Sequence, residues 1–154
     1  MEEDKKYFRM GLILMLGIFL QFILALAETA DSPNKAVTEF VKAYCKYDAK
    51  AMNERLGNEL AEQGIVSSYL ASAEEKSRAR GFTLSYLSDW LYNVETVYTP
   101  PKDDSKGTVH IKCKRKCPLR SFFGGSVNYI DETFEVAFED QKWKIFGNPF
   151  GLVE

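Results

Sequence analysis

The stretch VNYIDETFEVAFEDQKWKIF, residues 127–146, decides the fold. Ile130, Phe134, Val136 and Phe138 fall on one side of an extended chain, and Asp131, Thr133 and Glu135 on the other. This two-residue period marks a strand with one buried face. Asp140-Gln141 is short enough to be a tight hairpin connection. The spacing therefore predicts a strand over Val127–Glu139 and an antiparallel neighbour over Lys142–Phe146.

Working back along the chain, Thr108–Cys117 alternates in the same way. Val109, Ile111 and Cys113 lie on one side, and His110, Lys112 and Lys114 on the other. Leu91–Thr99 is rich in Tyr, Val and Thr, the composition of a strand. The Pro100-Pro101 pair and the polar run to Gly107 make a turn, and Pro118–Ser126, with Gly124-Gly125, makes a loop. Further upstream the period changes. Val37, Phe40, Val41, Tyr44 and Cys45 recur at helical spacing after a Ser32-Pro33 start signal, while Lys35, Glu39, Lys42 and Lys46 lie off that face. Asp48 is placed to cap a second helix carrying Met52, Leu56 and Leu60. A third is expected over Ile65–Arg80, stopped by Gly81, and a short fourth running through Asp89. Helices first and an antiparallel meander last is an α+β arrangement, with the helices covering one sheet face.

The first thirty residues differ in kind. Gly11–Ala27 is apolar apart from Gln21. Its 17 residues fall between a signal-peptide core and a membrane-spanning helix. Lys5, Lys6 and Arg9 precede it, and the next cation is Lys35, so the N-terminus is expected inside the cytoplasm and the remainder across the membrane. Ala25-Leu26-Ala27 is a small-x-small cleavage site, with Ala25 and Ala27 as its small residues. Residues 1–27 are thus a cleaved signal or an uncleaved anchor, and Glu28–Glu154 one domain. An uncleaved segment would hold the chain at the membrane. The expected location is exported: periplasmic or secreted, or anchored in the inner membrane with the domain outside.

Composition narrows the class. The 154 residues are 45% hydrophobic, 14% aromatic and 27% charged, which excludes intrinsic disorder. A net charge of −2 implies no nucleic-acid partner. Three cysteines, Cys45, Cys113 and Cys117, are an odd count in an oxidising compartment. A Cys45–Cys113 bridge and buried unpaired thiols are both open. Three cysteines and one distant histidine lack the paired spacing of a zinc site, and no metal or cofactor is expected.

Two stretches resemble a known superfamily. The opening helices from Ser32-Pro33 to Leu60, with Tyr47-Asp48-Ala49-Lys50-Ala51-Met52 between them, are similar to the start of nuclear transport factor 2-like domains. Glu139-Asp140-Gln141-Lys142-Trp143-Lys144-Ile145 is similar to their terminal hairpin. Exported bacterial members of unknown function are the nearest likeness. The resemblance implies a cystatin-like α+β cone: a curved antiparallel sheet wrapping the helices, often around an apolar pocket. It also implies a homodimer through the sheet. It does not set the activity, because the superfamily holds isomerase-like enzymes and noncatalytic binding domains alike.

Several residues are candidates for chemistry. Glu132 shares a strand face with Ile130, Phe134 and Val136, and a carboxylate among apolar side chains suits a general base or acid. A buried ion pair or a place near the sheet edge would explain it equally well. Tyr98, Phe134 and Trp143 could line a pocket or simply fill the core. Lys114, Arg115, Lys116 and Arg120, followed by Phe122 and Phe123, form a basic stretch ending in an aromatic tip. That pattern fits contact with anionic headgroups or an acidic partner, and it fits equally a lysine-rich edge strand that resists aggregation. His110 alternates with lysines and is expected on the exposed side. The reading is an exported, noncatalytic domain of the bacterial envelope that binds a small apolar ligand or another envelope protein. The alternative is a small ketosteroid-isomerase-like enzyme moving a proton on a carbonyl substrate with Glu132 as base.

Overall fold

The computed structural model describes residues 2–102, 106–117 and 127–152, and within the first helix the side chains of residues 10–23. The chain divides into two compact units, Met1–Asp31 and Ser32–Glu154.

The first unit is one helix, α1, Glu2–Thr29. The apolar side chains from Met10 to Ile23 stand exposed along it. Among the described residues no helix is long and apolar enough to cross a membrane. Ala25 and Ala27 fall within α1, and their side chains lie outside those described.

The second unit is α+β. Helices α2 (Pro33–Lys46), α3 (Ala49–Arg55), α4 (Asn58–Glu62), α5 (Ile65–Ala79) and α6 (Leu84–Leu87) precede strands β1 (Trp90–Thr99), β2 (Gly107–Lys116), β3 (Asn128–Glu139) and β4 (Lys142–Phe146). The sheet order is β1-β2-β3-β4, each neighbouring pair antiparallel. A 3-10 turn, Pro149–Gly151, follows.

Helix α2 begins where its sequence dictates. The Ser32 hydroxyl oxygen accepts the Lys35 N–H at 3.1 Å, and Pro33 occupies the first turn. Its apolar face, Val37, Phe40, Val41 and Cys45, is buried against the sheet. The sheet answers with Val109, Ile111, Cys113, Ile130, Phe134, Val136 and Ile145.

The expected second helix is broken in two. Leu56 is extended, at φ −81° and ψ 147°, and bridges Ile145 of β4 in parallel, while the Gly57 N–H donates to the Ile145 carbonyl at 2.8 Å. Leu56 is thus spent on the free edge of β4 rather than on a helical turn. Gly57 suits this close approach, because a Cβ would overlap the Phe146 ring unless the ring shifted.

The β3–β4 hairpin turns on Asp140 and Gln141, at φ 51° and 63°, the left-handed pair a two-residue loop demands. Neither is glycine, so the turn carries backbone strain, and side-chain contacts offset it. Oδ2 of Asp140 accepts from Nδ2 of Asn58 at 2.7 Å and from Nζ of Lys144 at 3.2 Å. The Asn58 bond and the nearby ammonium hold the Asp140 carboxyl below its usual range.

Candidate functional site

Within Ser32–Glu154 the space between α2 and the sheet is occupied by side chains. Phe150, from the turn after β4, stacks on Tyr44 at 4.2 Å and meets Phe134 edge-on at 5.1 Å. Phe40 lies 6.1 Å from Phe134 and 6.3 Å from Phe150. Outward, Tyr44 stacks on Tyr69 at 4.8 Å and Tyr69 on Tyr47 at 6.0 Å. Burial, with Tyr44 beside it, pushes the Tyr69 hydroxyl above its ordinary range. This continuous aromatic ladder joins α2, β3, α5 and the turn after β4.

Phe134 belongs to that ladder. Tyr98 and Trp143 meet elsewhere, edge-on at 5.8 Å, with Phe138 5.7 Å beyond Trp143. None of the three lines the clefts described below.

Glu132 keeps the register expected of it, opposite the buried Ile111, but it is exposed. The helices cover Ile130, Phe134 and Val136 and leave Glu132 and Phe138 open. It lines none of the clefts described here.

The basic stretch divides between the two faces of β2. Lys114 projects from the solvent face, its ammonium 5.8 Å from the Tyr129 ring centroid. Arg115 turns to the helical side, where its Nε is 3.8 Å from Oδ2 of Asp89. Lys116, opposite Trp90, ends the strand. Arg120, Phe122 and Phe123 lie outside the described residues.

His110 lies on the solvent face within a cross-strand chain. Its Nδ1 is 3.0 Å from the Thr133 hydroxyl and its Nε2 3.1 Å from Oδ1 of Asp131, whose Oδ2 Lys112 approaches at 3.5 Å. In the neutral ring Nε2–H donates to Asp131 and Nδ1 accepts from Thr133. The order hydroxyl–imidazole–carboxylate could relay a proton. It stands on an open sheet surface, however, without the enclosing donors that acyl chemistry needs.

The three cysteines are buried. Burial pushes the Cys45 thiol up to about 11, with the Arg115 guanidinium pulling partly the other way. The Cys113 thiol is raised for the same reason. Sγ of Cys117 donates to the Tyr86 carbonyl at 3.4 Å. Among the described residues no group of three or more His, Cys, Asp or Glu side chains could hold a metal.

Among the described residues, three surface clefts stand out. One of 600 Å³ lies between α5 and the C-terminal turn, walled by Ile65, Ser68, Tyr69, Ser72 and Leu152. One of 230 Å³ lies between α2 and α3, beside Glu39, Ala51 and Arg55. The third, 380 Å³, lies at the seam of α2 and β1: Thr38, Lys42 and Lys46 on the helix, Trp90, Leu91 and Val94 on the strand. Sequence reading missed this last one. Its signals were present, two lysines four apart and a tryptophan opening a strand, but nothing local joins a helix at residue 42 to a strand at residue 90.

Comparison of the chain with protein-family models, curated proteins and solved structures yields no match. The fold and the clefts together define an α+β domain with helices on an antiparallel sheet and clefts at its surface.

Proposed function

We propose that the chain is an exported, noncatalytic binding and assembly protein of the bacterial envelope, whose folded domain has nuclear transport factor 2-like architecture. Residues 1–27 serve as its export signal or membrane anchor, and the solvent face of the sheet is its assembly surface, joining two copies.

The observation that carries this reading is the composition of that face. Tyr92, Val97 and Tyr129 are exposed there, Tyr129 at 71%. Around them stand both signs of charge: Glu95, Asp131 and Glu135 with Lys112 and Lys114. Apolar side chains set among mixed charges suit a second copy of the same face related by a two-fold axis. A proton-transfer enzyme needs its base enclosed beside a hydrogen-bond donor, and an exposed Glu132 gives that alternative less support.

Sedimentation of the full chain tests the reading. The wild type is expected as a dimer and Val97→Glu/Tyr129→Glu as a monomer with an unchanged circular dichroism spectrum. A wild-type monomer would overturn the assembly surface. A phosphatase reporter joined after Glu154 is expected to be active outside the cytoplasm of a bacterial host, and activity confined to the cytoplasm would overturn export.

A further inference from the structure

The seam between α2 and β1 has the chemistry of a ligand site. Its strand wall is apolar: Trp90 and Val94 are exposed and Leu91 is half-buried. Its helix wall carries Lys42 and Lys46, one turn apart and both exposed. At 380 Å³ it lies within the range of small-molecule clefts.

Lys42 and Lys46 also border the cleft between α2 and α3, beside Glu39, Asp48 and Glu54. Glu39, one turn before Lys42, is the acidic residue within α2, and Arg55 holds it, with Nε and Nη2 donating to Oε2 at 2.8 and 2.5 Å. Asp48, just beyond Lys46, caps α3 by accepting the Ala51 N–H at 3.1 Å. Among the described residues neither lysine is held in an ion pair. Thr38 adds no donor, since its hydroxyl is committed to the Asn34 carbonyl at 2.9 Å. An incoming anion would therefore meet two cations beside an apolar wall.

The edge of β1 that borders the seam is poorly suited to a peptide strand. Its pairing shifts between Tyr92 and Glu95, with Asn93 at φ 49°, which interrupts the even row of backbone groups that strand addition requires. A ligand held by apolar contact and charge, rather than by a backbone ladder, is favoured.

We propose that this cleft binds a free single-chain anionic amphiphile, a fatty carboxylate or its equivalent, with the chain along Trp90, Leu91 and Val94 and the head group on Lys42 and Lys46. The inference deepens the ligand-binding part of the function proposed above and rests on it, while sedimentation reads the assembly part separately.

The experiment uses the full chain carrying Trp143→Phe, which leaves Trp90 as the sole tryptophan reporter. Its emission is titrated with sodium dodecanoate below the micelle threshold. A saturable blue shift is expected. Lys42→Ala/Lys46→Ala is expected to weaken binding about tenfold or more, since charge-assisted contacts are lost. Val94→Glu, which puts a carboxylate on the apolar wall, is expected to abolish binding. Dodecanol is expected to bind more weakly by a similar factor, and dodecyltrimethylammonium not at all. Lys42, Lys46 and Val94 are exposed and Trp143 is half-buried, and an unchanged thermal midpoint shows that each variant folds. No saturable response to dodecanoate, equal binding by the double-lysine variant, or a response to phosphatidylglycerol vesicles alone would overturn the proposal.

Discussion

The rings of Tyr44 and Phe150 are stacked 4.2 Å apart at 22°. This contact ties the turn after β4 to α2. Phe150 adopts φ 54° to make it, a left-handed conformation unusual for a bulky residue. The strain persists because the ring packs on Phe134 and Phe40 as well. Phe150→Ala is expected to destabilise the domain by about 2–3 kcal/mol, below the value for a fully buried phenylalanine because the ring is half-buried. Denaturant midpoints measure this, and a change under about 0.5 kcal/mol would show the ladder to be incidental.

Gly57 marks where tertiary structure overrides helical spacing. Gly57→Ala places a methyl group inside van der Waals range of Phe146 and is expected to cost about 1–3 kcal/mol, as overpacking does. Phe146→Leu should recover most of that loss. A double-mutant cycle measures the coupling, and additive effects would mean that the Phe146 ring is not what penalises a side chain at Gly57.

Arg55 and Glu39 form an ion pair that is unequal in burial, 11% against 44% side-chain exposure. Arg55 also donates from Nη1 to the Trp143 carbonyl at 3.3 Å, linking α3 to β4. Arg55→Ala is therefore expected to cost more than Glu39→Ala, about 2 against about 1 kcal/mol, the second reduced by solvent screening. Equal losses in chemical unfolding would confine the role of Arg55 to the pair.

Cys45 provides a pH signature. Burial holds the folded thiol near 11 against an ordinary value of 9.0. The stabilisation tied to this shift is fully present below pH 9.0 and is lost as pH rises towards about 11, because the unfolded thiol ionises first. The stability difference between wild type and Cys45→Ala is expected to shrink across that interval. Native Cys45 should also resist iodoacetamide at about pH 8 and react only on unfolding. Rapid native labelling would contradict its burial.

Much of the α+β architecture was legible because its signals are local. Strand alternation at Val109, Ile111 and Cys113 and helical spacing at Val37, Phe40 and Val41 each name a buried face without reference to the rest of the chain. The Ser32 and Asp48 caps were legible for the same reason, since each satisfies an N–H three residues away. Alternation also put Glu132 on the face of Ile130 and Phe134, yet which positions of that face the helices cover is not periodic information. Glu132 is open for that reason.

Sequence by itself determined the element types, the sheet order implied by short connections, and the sides of β2 and β3 that turn inward, because backbone periodicity and turn chemistry act within a few residues. Only the tertiary structure decided that Leu56 leaves its helix for Ile145, that Arg115 turns to Asp89 while Lys114 faces solvent, that Phe150 packs on Tyr44 and Phe134, and that Lys42 and Lys46 border one cleft with Trp90. Each of these pairs residues far apart in the chain. Such pairings are chosen by the packing of whole faces, where burial and charge pairing outweigh the local preference of any single residue.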